Sequence, residues 1–226
     1  MVTLNNDWTH IGVLIDRSGS MSSLNPSTIS VELTQFIRSQ TGGKVTVSAS
    51  RFDDKYESFL ENVPASDVNI TENNIEPRGM TALTESFCRL IDELGEKLSL
   101  MTDERPGKVI VVVLTDGEEN ASSGKYAGPE GKKLLREKIT HQREVYNWVF
   151  FFMGTNFDAV TTGTDLGVDL RTCINFGSNE NKCAQVLRTV SQQVSQLRTL
   201  AQDEMHHMET VYSSAGFSQL QREDCS

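Results

Sequence analysis

Acidic and hydroxyl side chains follow two apolar runs of this sequence, at spacings that suit the binding of a cation. Asp16, Ser18 and Ser20 come directly after the apolar run 11–15, and Asp116 follows a second run in a Thr-Asp-Gly turn. The two serine hydroxyls are two residues apart, so a bent loop can direct both at one point. These side chains therefore bring carboxylate and hydroxyl oxygens to the ends of two predicted strands.

Carboxylate and hydroxyl oxygens are hard ligands, which favour Mg²⁺, Mn²⁺ or Ca²⁺ over zinc. Two facing carboxylates without a cation would repel each other and force one toward protonation, and a divalent cation removes that conflict. Thr81, in an Arg-Gly-Met-Thr segment before a predicted helix, supplies a further hydroxyl. The sequence thus predicts a metal site built from Asp16, Ser18, Ser20, Thr81 and Asp116.

Apolar runs of strand length alternate with segments of helical periodicity along the chain. The short Asp53-Asp54 turn requires an antiparallel pair on either side of it. Residues 62–80 contain two prolines and a glycine and are predicted as a long loop. We predict strands at 11–15, 45–49, 56–60, 109–114, 148–153 and 171–176, and helices from Asn25-Pro26, over 81–98, over 129–141 and over 179–203.

This alternation is typical of an α/β fold with a mostly parallel sheet and helices on both faces. Ligands of such folds bind at the carboxyl ends of the strands. Asp16 and Asp116 both follow strands, and we expect those two strands to be neighbours in the sheet. The fold class therefore places both carboxylates at the same edge.

Three motifs in this order resemble the von Willebrand factor A domain. They are Asp-x-Ser-x-Ser after the first strand, Thr81 in a Gly-x-Thr loop before a helix, and Leu-Thr-Asp-Gly after the next core strand. In that family the set is called the metal-ion-dependent adhesion site. The resemblance covers residues 8–205 and extends to small standalone versions found in bacteria and phages.

The resemblance implies a Rossmann-like, doubly wound, six-stranded sheet whose one antiparallel edge strand is 56–60. It also implies a complete adhesion site, in which some of the five residues bind the ion directly and others through water. A carboxylate of a protein partner commonly completes the metal's ligands. The expected function is therefore binding of a protein through a metal, without catalysis.

Three charged residues near the site are candidate partner contacts. Arg17 lies within the first loop, and Glu118 and Glu119 follow Asp116. The alternative is that Arg17 is a surface side chain and that the two glutamates are solvent-facing loop residues.

Other interpretations of the same residues remain open. A phosphatase of the haloacid dehalogenase type also has an Asp after its first strand, but it needs a second Asp as general acid where this chain has Ser18. A scaffold could use the metal for structure only. Without any metal, Asp16 and the serines would cap a turn, Thr81 would cap a helix, and Asp116-Gly117 would be an ordinary turn.

The net charge and the lengths of the apolar runs limit the partners and the cellular location that we expect. The chain has 226 residues and a net charge of −10, so it repels phosphate backbones and nucleic acid is not an expected partner. The first residues have no basic region followed by an apolar one, and the longest apolar runs are too short to span a bilayer, which predicts neither secretion nor membrane insertion. We expect a cytoplasmic protein, or one within a phage or bacterial assembly.

The four cysteines form no Cys-x-x-Cys pair and are predicted to be reduced, mostly buried side chains.

One von Willebrand factor A domain is expected over 8–205. Residues 206–226 are predicted to be a polar tail, in which Ser218 and Gln221 have the spacing of a helix capping box.

Overall fold

The computed structural model describes residues 3–156 and 158–226. Within them the strands form one six-stranded sheet in the order β3-β2-β1-β4-β5-β6, in which all neighbours are parallel except β2 and β3. The predicted sheet is confirmed. The strands are β1 (Thr3–Asp16), β2 (Lys44–Phe52), β3 (Tyr56–Pro64), β4 (Glu104–Thr115), β5 (Val149–Gly154) and β6 (Cys173–Asn175).

Helices cover both faces of this sheet. Alternate residues of the strands join two separate apolar clusters, one on each face. One cluster packs against α1, α5, α7 and α8, and the other against α2, α3 and α4. The helices are α1 (Pro26–Arg38), α2 (Leu83–Ser99), α3 (Gly128–Tyr146), α4 (Ala159–Asp165), α5 (Glu180–Thr199), α6 (Gln202–Met205), α7 (Met208–Ala215) and α8 (Gln219–Cys225).

The central pair β1 and β4 sets the position of the site. Thr9–Ile15 of β1 pair in register with Lys108–Leu114 of β4, which confirms that the strands preceding the two acids are neighbours. Gly12 lets α2 approach this pair closely, because a Cβ there would lie 2.5 Å from Leu94 Cδ1. Both strands therefore end at the same edge of the sheet.

Several elements extend beyond their predicted bounds. β1 begins at Thr3, because Thr3–Asn5 pair with Glu104–Pro106 across an irregularity in the register. This paired segment, the Thr3–Asn5 ribbon, has no apolar pattern from which a strand could be predicted. β3 continues to Pro64, so the predicted loop 62–80 is shorter and contains two 3-10 turns. The helix α4 was not predicted, because Ala159–Asp165 carry few apolar residues.

The predicted helix 179–203 is interrupted. α5 ends at Thr199, and a separate turn, α6, begins at Gln202. Lys108 Nζ donates to the carbonyl of Arg198 at 2.9 Å, and Glu204 Oε2 accepts from the amide of Ala201 at 2.7 Å. These bonds satisfy backbone groups on either side of the break, so two elements replace one continuous helix.

Residues 206–226, predicted as a polar tail, contain the two helices α7 and α8. Five of their side chains are buried in the same cluster that holds α1 and α5, whereas Leu220 is 66% exposed. The predicted capping box is present, since the amide of Gln221 donates to Ser218 Oγ and the amide of Ser218 to Gln221 Oε1. The residues that anchor this segment are Val211, Tyr212, Ala215, Phe217 and Cys225.

All four cysteines are free and buried, as predicted. Burial raises the pKa of Cys88, Cys173 and Cys183 to about 12, so these thiols stay protonated at neutral pH. Among the described residues, no helix combines the length and the apolar character needed to cross a membrane.

Candidate metal site

Three loops at the carboxyl ends of β1 and β4 bring the predicted ligands together. Asp16 ends β1, and Ser18 and Ser20 follow it at the start of a 3-10 turn. Asp116 follows β4, and Thr81 lies just before α2. Four of these five side chains are buried, with at most 2% of their surface exposed, whereas Ser20 is exposed. The cluster is therefore open to solvent on the side of Ser20.

A chain of short oxygen contacts crosses the cluster. Ser18 Oγ lies 3.0 Å from Ser20 Oγ, and Ser20 Oγ donates to Asp116 Oδ1 at 2.8 Å. Neighbouring oxygens around an octahedral Mg²⁺, bound at about 2.1 Å, lie about 3 Å apart. The spacing of these oxygens therefore fits adjacent ligands of one small cation.

The second oxygen of Asp116 supports the same interpretation. Asp116 Oδ2 is buried and has no hydrogen-bond partner among the described residues. A buried polar atom without a partner is costly, and buried carboxylate oxygens are normally hydrogen-bonded or bound to a metal. This oxygen lies in a cluster of hydroxyls that are themselves hard ligands.

Thr81 approaches the cluster from the other side. A Cβ built on Gly117 would lie 3.2 Å from Thr81 Oγ1 and 3.3 Å from Ser20 Oγ. Glycine at position 117 thus keeps the space between these two hydroxyls free of a side chain. The backbone of Thr81 is fixed by Asn120, whose Oδ1 accepts from the Thr81 amide at 2.8 Å and whose own amide donates to the Thr81 carbonyl.

Asp16 holds the first loop as well as contributing charge. Its Oδ1 accepts from the Ser18 amide at 2.7 Å, and its Oδ2 accepts from Thr115 Oγ1 at 2.5 Å. Burial raises its pKa to about 6, and the charge of Asp116 adds to that rise. Burial also raises the pKa of Asp116. Each carboxylate is thus destabilised in its ionised form, a conflict that a divalent cation would relieve.

Arg17 does not lie where a partner could contact it. Its side chain is only 3% exposed, and its guanidinium forms ion pairs with Asp53 of the β2–β3 turn and with Glu57 of β3. Arg78 pairs with the same two acids, at 2.6 Å and 2.9 Å, and its amide donates to the carbonyl of Arg17. A buried guanidinium needs such partners, which is why Arg17 faces inward. These four residues join the first and second metal loops, and we call them the loop clamp.

Glu118 and Glu119 differ in their surroundings. Glu118 is exposed beside the site, where a partner can reach it. Glu119 turns inward, and its carboxylate accepts from the amides of Thr84, Ala121 and Ser122 and from the Ser122 hydroxyl. It therefore satisfies an amide in the first turn of α2 instead of facing a partner.

Sequence reasoning did not identify two side chains that organise the site, nor the exposed Met80 beside it. Thr115 fixes Asp16, Asn120 fixes Thr81, and Met80 lies beside Thr81 with 56% of its surface exposed. Thr115 lies inside the recognised Thr-Asp-Gly turn, so the sequence motif could have identified it. The loop folding that brings Asn120 back to Thr81 has no pattern in the sequence.

Comparison with known proteins rests on structure, since no family model and no curated protein matches the sequence. A von Willebrand factor type A protein from Catenulispora acidiphila superposes with a TM-score of 0.57 at 12% identity, over 86% of this chain and 43% of that one. The von Willebrand factor domain of the type V pili tip protein Mfa5 from Porphyromonas gingivalis gives a TM-score of 0.57 at 9% identity, over 86% and 96%.

Mussel byssus proximal thread matrix protein 1, in a form whose adhesion site is occupied by zinc, gives a TM-score of 0.56 at 16% identity, over 83% of this chain and 46% of that one. The chain spans 43–46% of the length of the first four solved chains that it matches. These similarities establish one point: the chain has the fold of von Willebrand factor A domains, as the sequence resemblance implied.

Proposed function

We propose that this chain is a protein-binding domain that acts through a divalent cation held by Asp16, Ser18, Ser20, Thr81 and Asp116. The observation that carries the proposal is the convergence of three hydroxyls and two carboxylates at one edge of the sheet, with Asp116 Oδ2 buried and without a hydrogen-bond partner among the described residues. The ion supplies a positive centre that can accept an oxygen from outside the chain. Mg²⁺ is the proposed ion, and Mn²⁺ and Ca²⁺ suit the same oxygens.

The charges of the site favour an acidic partner. Two carboxylates balance one divalent ion, so a bound ion with an exchangeable water can accept one further anion. Access is from the side of Ser20, the exposed member of the set. Met80 and Glu118 are exposed beside the site, and they give a partner one apolar and one acidic contact.

A catalytic function receives less support. A phosphatase of the haloacid dehalogenase type needs an acid at position 18, and Ser18 instead shares a hydrogen bond with Ser20. Hydrolysis of a generic phosphoester that is lost in Asp16→Ala would favour the enzyme over the binding domain.

Metal binding is the first test. Mg²⁺ and Mn²⁺ are titrated into the EDTA-treated protein by calorimetry, beside Asp116→Asn and the matched control Asp165→Asn, which alters an exposed acid at the end of α4. We expect the wild type and the control to bind one ion alike. Asp116→Asn should weaken binding at least about tenfold, because it removes one of two charges facing the ion. Equal binding by all three would place the ion elsewhere.

Partner binding is the second test. The protein is immobilised, a native lysate is passed over it in Mg²⁺, and the column is eluted with EDTA, with Asp116→Asn in parallel. A protein that elutes with EDTA and is absent from the variant column supports binding through the metal. A partner that ignores both EDTA and the substitution would show that the metal has a structural role only.

A further inference from the structure

A cavity of about 340 Å³ lies at the end of the sheet opposite the metal loops. Its floor includes Val109, in the first half of β4, and Trp148, just before β5, whereas the metal loops follow the ends of β1 and β4. The last turns of α2 and α3, the Thr3–Asn5 ribbon and α6 form its walls. Its volume falls within the range of small-molecule sites, about 300–1,000 Å³.

The rim of this cavity is apolar and exposed. Leu4, Val145 and Tyr146 border it, and each has more than half of its surface exposed, at 52%, 55% and 57%. Isolated exposed apolar residues are common, but several around one concave site indicate a binding surface. Trp148 and Leu98 continue this apolar surface into the interior.

Gly95, near the end of α2, keeps the cavity open. A glycine inside a helix costs about 1 kcal/mol relative to alanine, so a steric reason for it is expected. Outside the backbone of α2 itself, the described residues offer none, because a Cβ at Gly95 would meet only Gln142 Nε2 among them, at an ordinary 3.7 Å. The missing side chain therefore leaves room in the cavity for something other than this chain.

The polar groups of the cavity indicate the charge of its ligand. Gln202 Oε1 is buried there and has no hydrogen-bond partner among the described residues. Arg105 lines the same space, and among the described residues the lining includes no Asp or Glu. The chain as a whole has a net charge of −10, so a cationic, acid-free lining stands apart from the rest of the molecule.

We propose that this cavity binds a small amphipathic acid, with its apolar body against Trp148, Leu98 and Tyr146 and its anionic group toward Arg105. Gln202 Oε1 accepts a hydrogen bond from the ligand. This site is separate from the metal site in position and chemistry, so each can be tested without the other.

The test uses 8-anilinonaphthalene-1-sulfonate, an aromatic acid whose fluorescence reports binding, on the full chain in EDTA. We expect one saturable site. Gly95→Leu fills the cavity and should weaken binding at least about tenfold, or 1.4 kcal/mol. Gly95→Ala is the matched control, since its methyl makes only ordinary contact, and it should bind within about threefold of the wild type. Thermal melting of each variant establishes that it is folded.

The charge is tested separately. Arg105→Gln should weaken binding of the sulfonate at least about fivefold while leaving the neutral analogue N-phenyl-1-naphthylamine unaffected. Equal binding of the sulfonate to the wild type and Gly95→Leu would overturn the proposed site. A folded wild type that binds neither probe would also overturn it, and loss of both probes in Arg105→Gln would overturn the role of the anion.

Discussion

Asp16 and Asp116 are buried acids, and burial disfavours the ionised form of each in the folded protein. Asp16 is held by Thr115 and by the amide of Ser18, yet burial still raises its pKa to about 6. Perturbed acids of this kind cluster at functional sites, because the same surroundings that disfavour a free charge favour a bound cation. The residues that weaken the metal-free protein are thus those that we propose as ligands of the ion.

This leads to a pH-dependent prediction for Asp16. Its pKa is higher in the folded protein than in the unfolded chain, so between pH 3.8 and 6 the folded state binds more protons. Its contribution to stability is therefore largest at low pH and is lost as the pH rises through about 6, by up to about 3 kcal/mol. In EDTA, the free energy of unfolding of the wild type relative to Asp16→Asn should fall between pH 4.5 and 7.5.

Chemical denaturation at several pH values measures this difference, because asparagine does not titrate and other ionisable groups cancel between the two proteins. Added Mg²⁺ should raise the free energy of unfolding of the wild type more at pH 7.5 than at pH 4.5. A difference that is constant with pH would contradict a raised pKa at Asp16.

Residue types predicted the positions of the proposed ligands better than they predicted those of the neighbouring charged side chains. Asp16, Ser18 and Asp116 follow apolar strands, so their positions in the sheet follow from the pattern of the strands. Arg17 and Glu119 lie in loops whose direction depends on distant partners. Asp53 draws Arg17 inward across a different turn, and nothing near Arg17 in the sequence signals that contact.

Among the elements, the loop clamp of Arg17, Asp53, Glu57 and Arg78 couples the edge hairpin to the metal loops. It acts together with backbone bonds, since the Gly19 amide donates to Gly79 and the Ala82 amide to Asp53. The clamp therefore fixes Thr81 relative to Ser18 and Ser20, and its loss should loosen the set of ligands.

Arg78 allows this coupling to be tested, because its side chain is half exposed and its removal need not unfold the protein. We expect Arg78→Ala to lower the affinity for Mn²⁺ by about threefold to tenfold and to cost roughly 1 kcal/mol of stability in EDTA. Arg78→Lys should recover part of the affinity. Calorimetry and denaturation give the two values.

Arg89→Ala is the control for Arg78. It removes a similarly exposed arginine that pairs with Glu85 within α2, away from the loop clamp. Its affinity for Mn²⁺ should match that of the wild type. An Arg78→Ala variant that binds Mn²⁺ as well as Arg89→Ala does would mean that the clamp does not position the ligands.

The start of α2 gives a second prediction at this scale. Ala82, the residue before the helix, has no capping side chain, and Glu119 accepts the Thr84 amide from another loop. Glu119→Ala should therefore lower the free energy of unfolding by about 1–2 kcal/mol. Glu118→Ala changes the exposed neighbour and should leave stability unchanged. Equal effects in urea denaturation would remove the distinction between these two glutamates.

The predicted elements were those with a clear apolar period. The sheet, α1 and α2 have one, whereas the Thr3–Asn5 ribbon and α4 do not and were not predicted. The break after Thr199 depends on Lys108, ninety residues earlier, which donates to the carbonyl of Arg198. Contacts of this kind depend on the folded chain and leave no local signal.

At the scale of the whole molecule, residues 206–226 are hydrogen-bonded to β6 and to the residues that flank it. The amide of Phe217 donates to the carbonyl of Arg171, and the amide of Gly177 donates to the carbonyl of Cys225. Arg222 donates to the carbonyl of Cys173, on the edge strand β6. An uncovered edge strand is a site for unwanted pairing, and α8 covers this one.

Val211 tests whether this segment belongs to the fold. It lies fully buried in α7, so Val211→Asp would place an unpaired charge in the core and should lower the free energy of unfolding by about 3 kcal/mol or more. Val31→Asp makes the same change in α1 at a side chain that is 49% exposed, and it should cost less than about 1 kcal/mol. Urea denaturation compares the two. If both variants unfold like the wild type, residues 206–226 are an appendage and the domain ends near Glu204; a loss confined to Val211→Asp shows that the fold requires its last two helices.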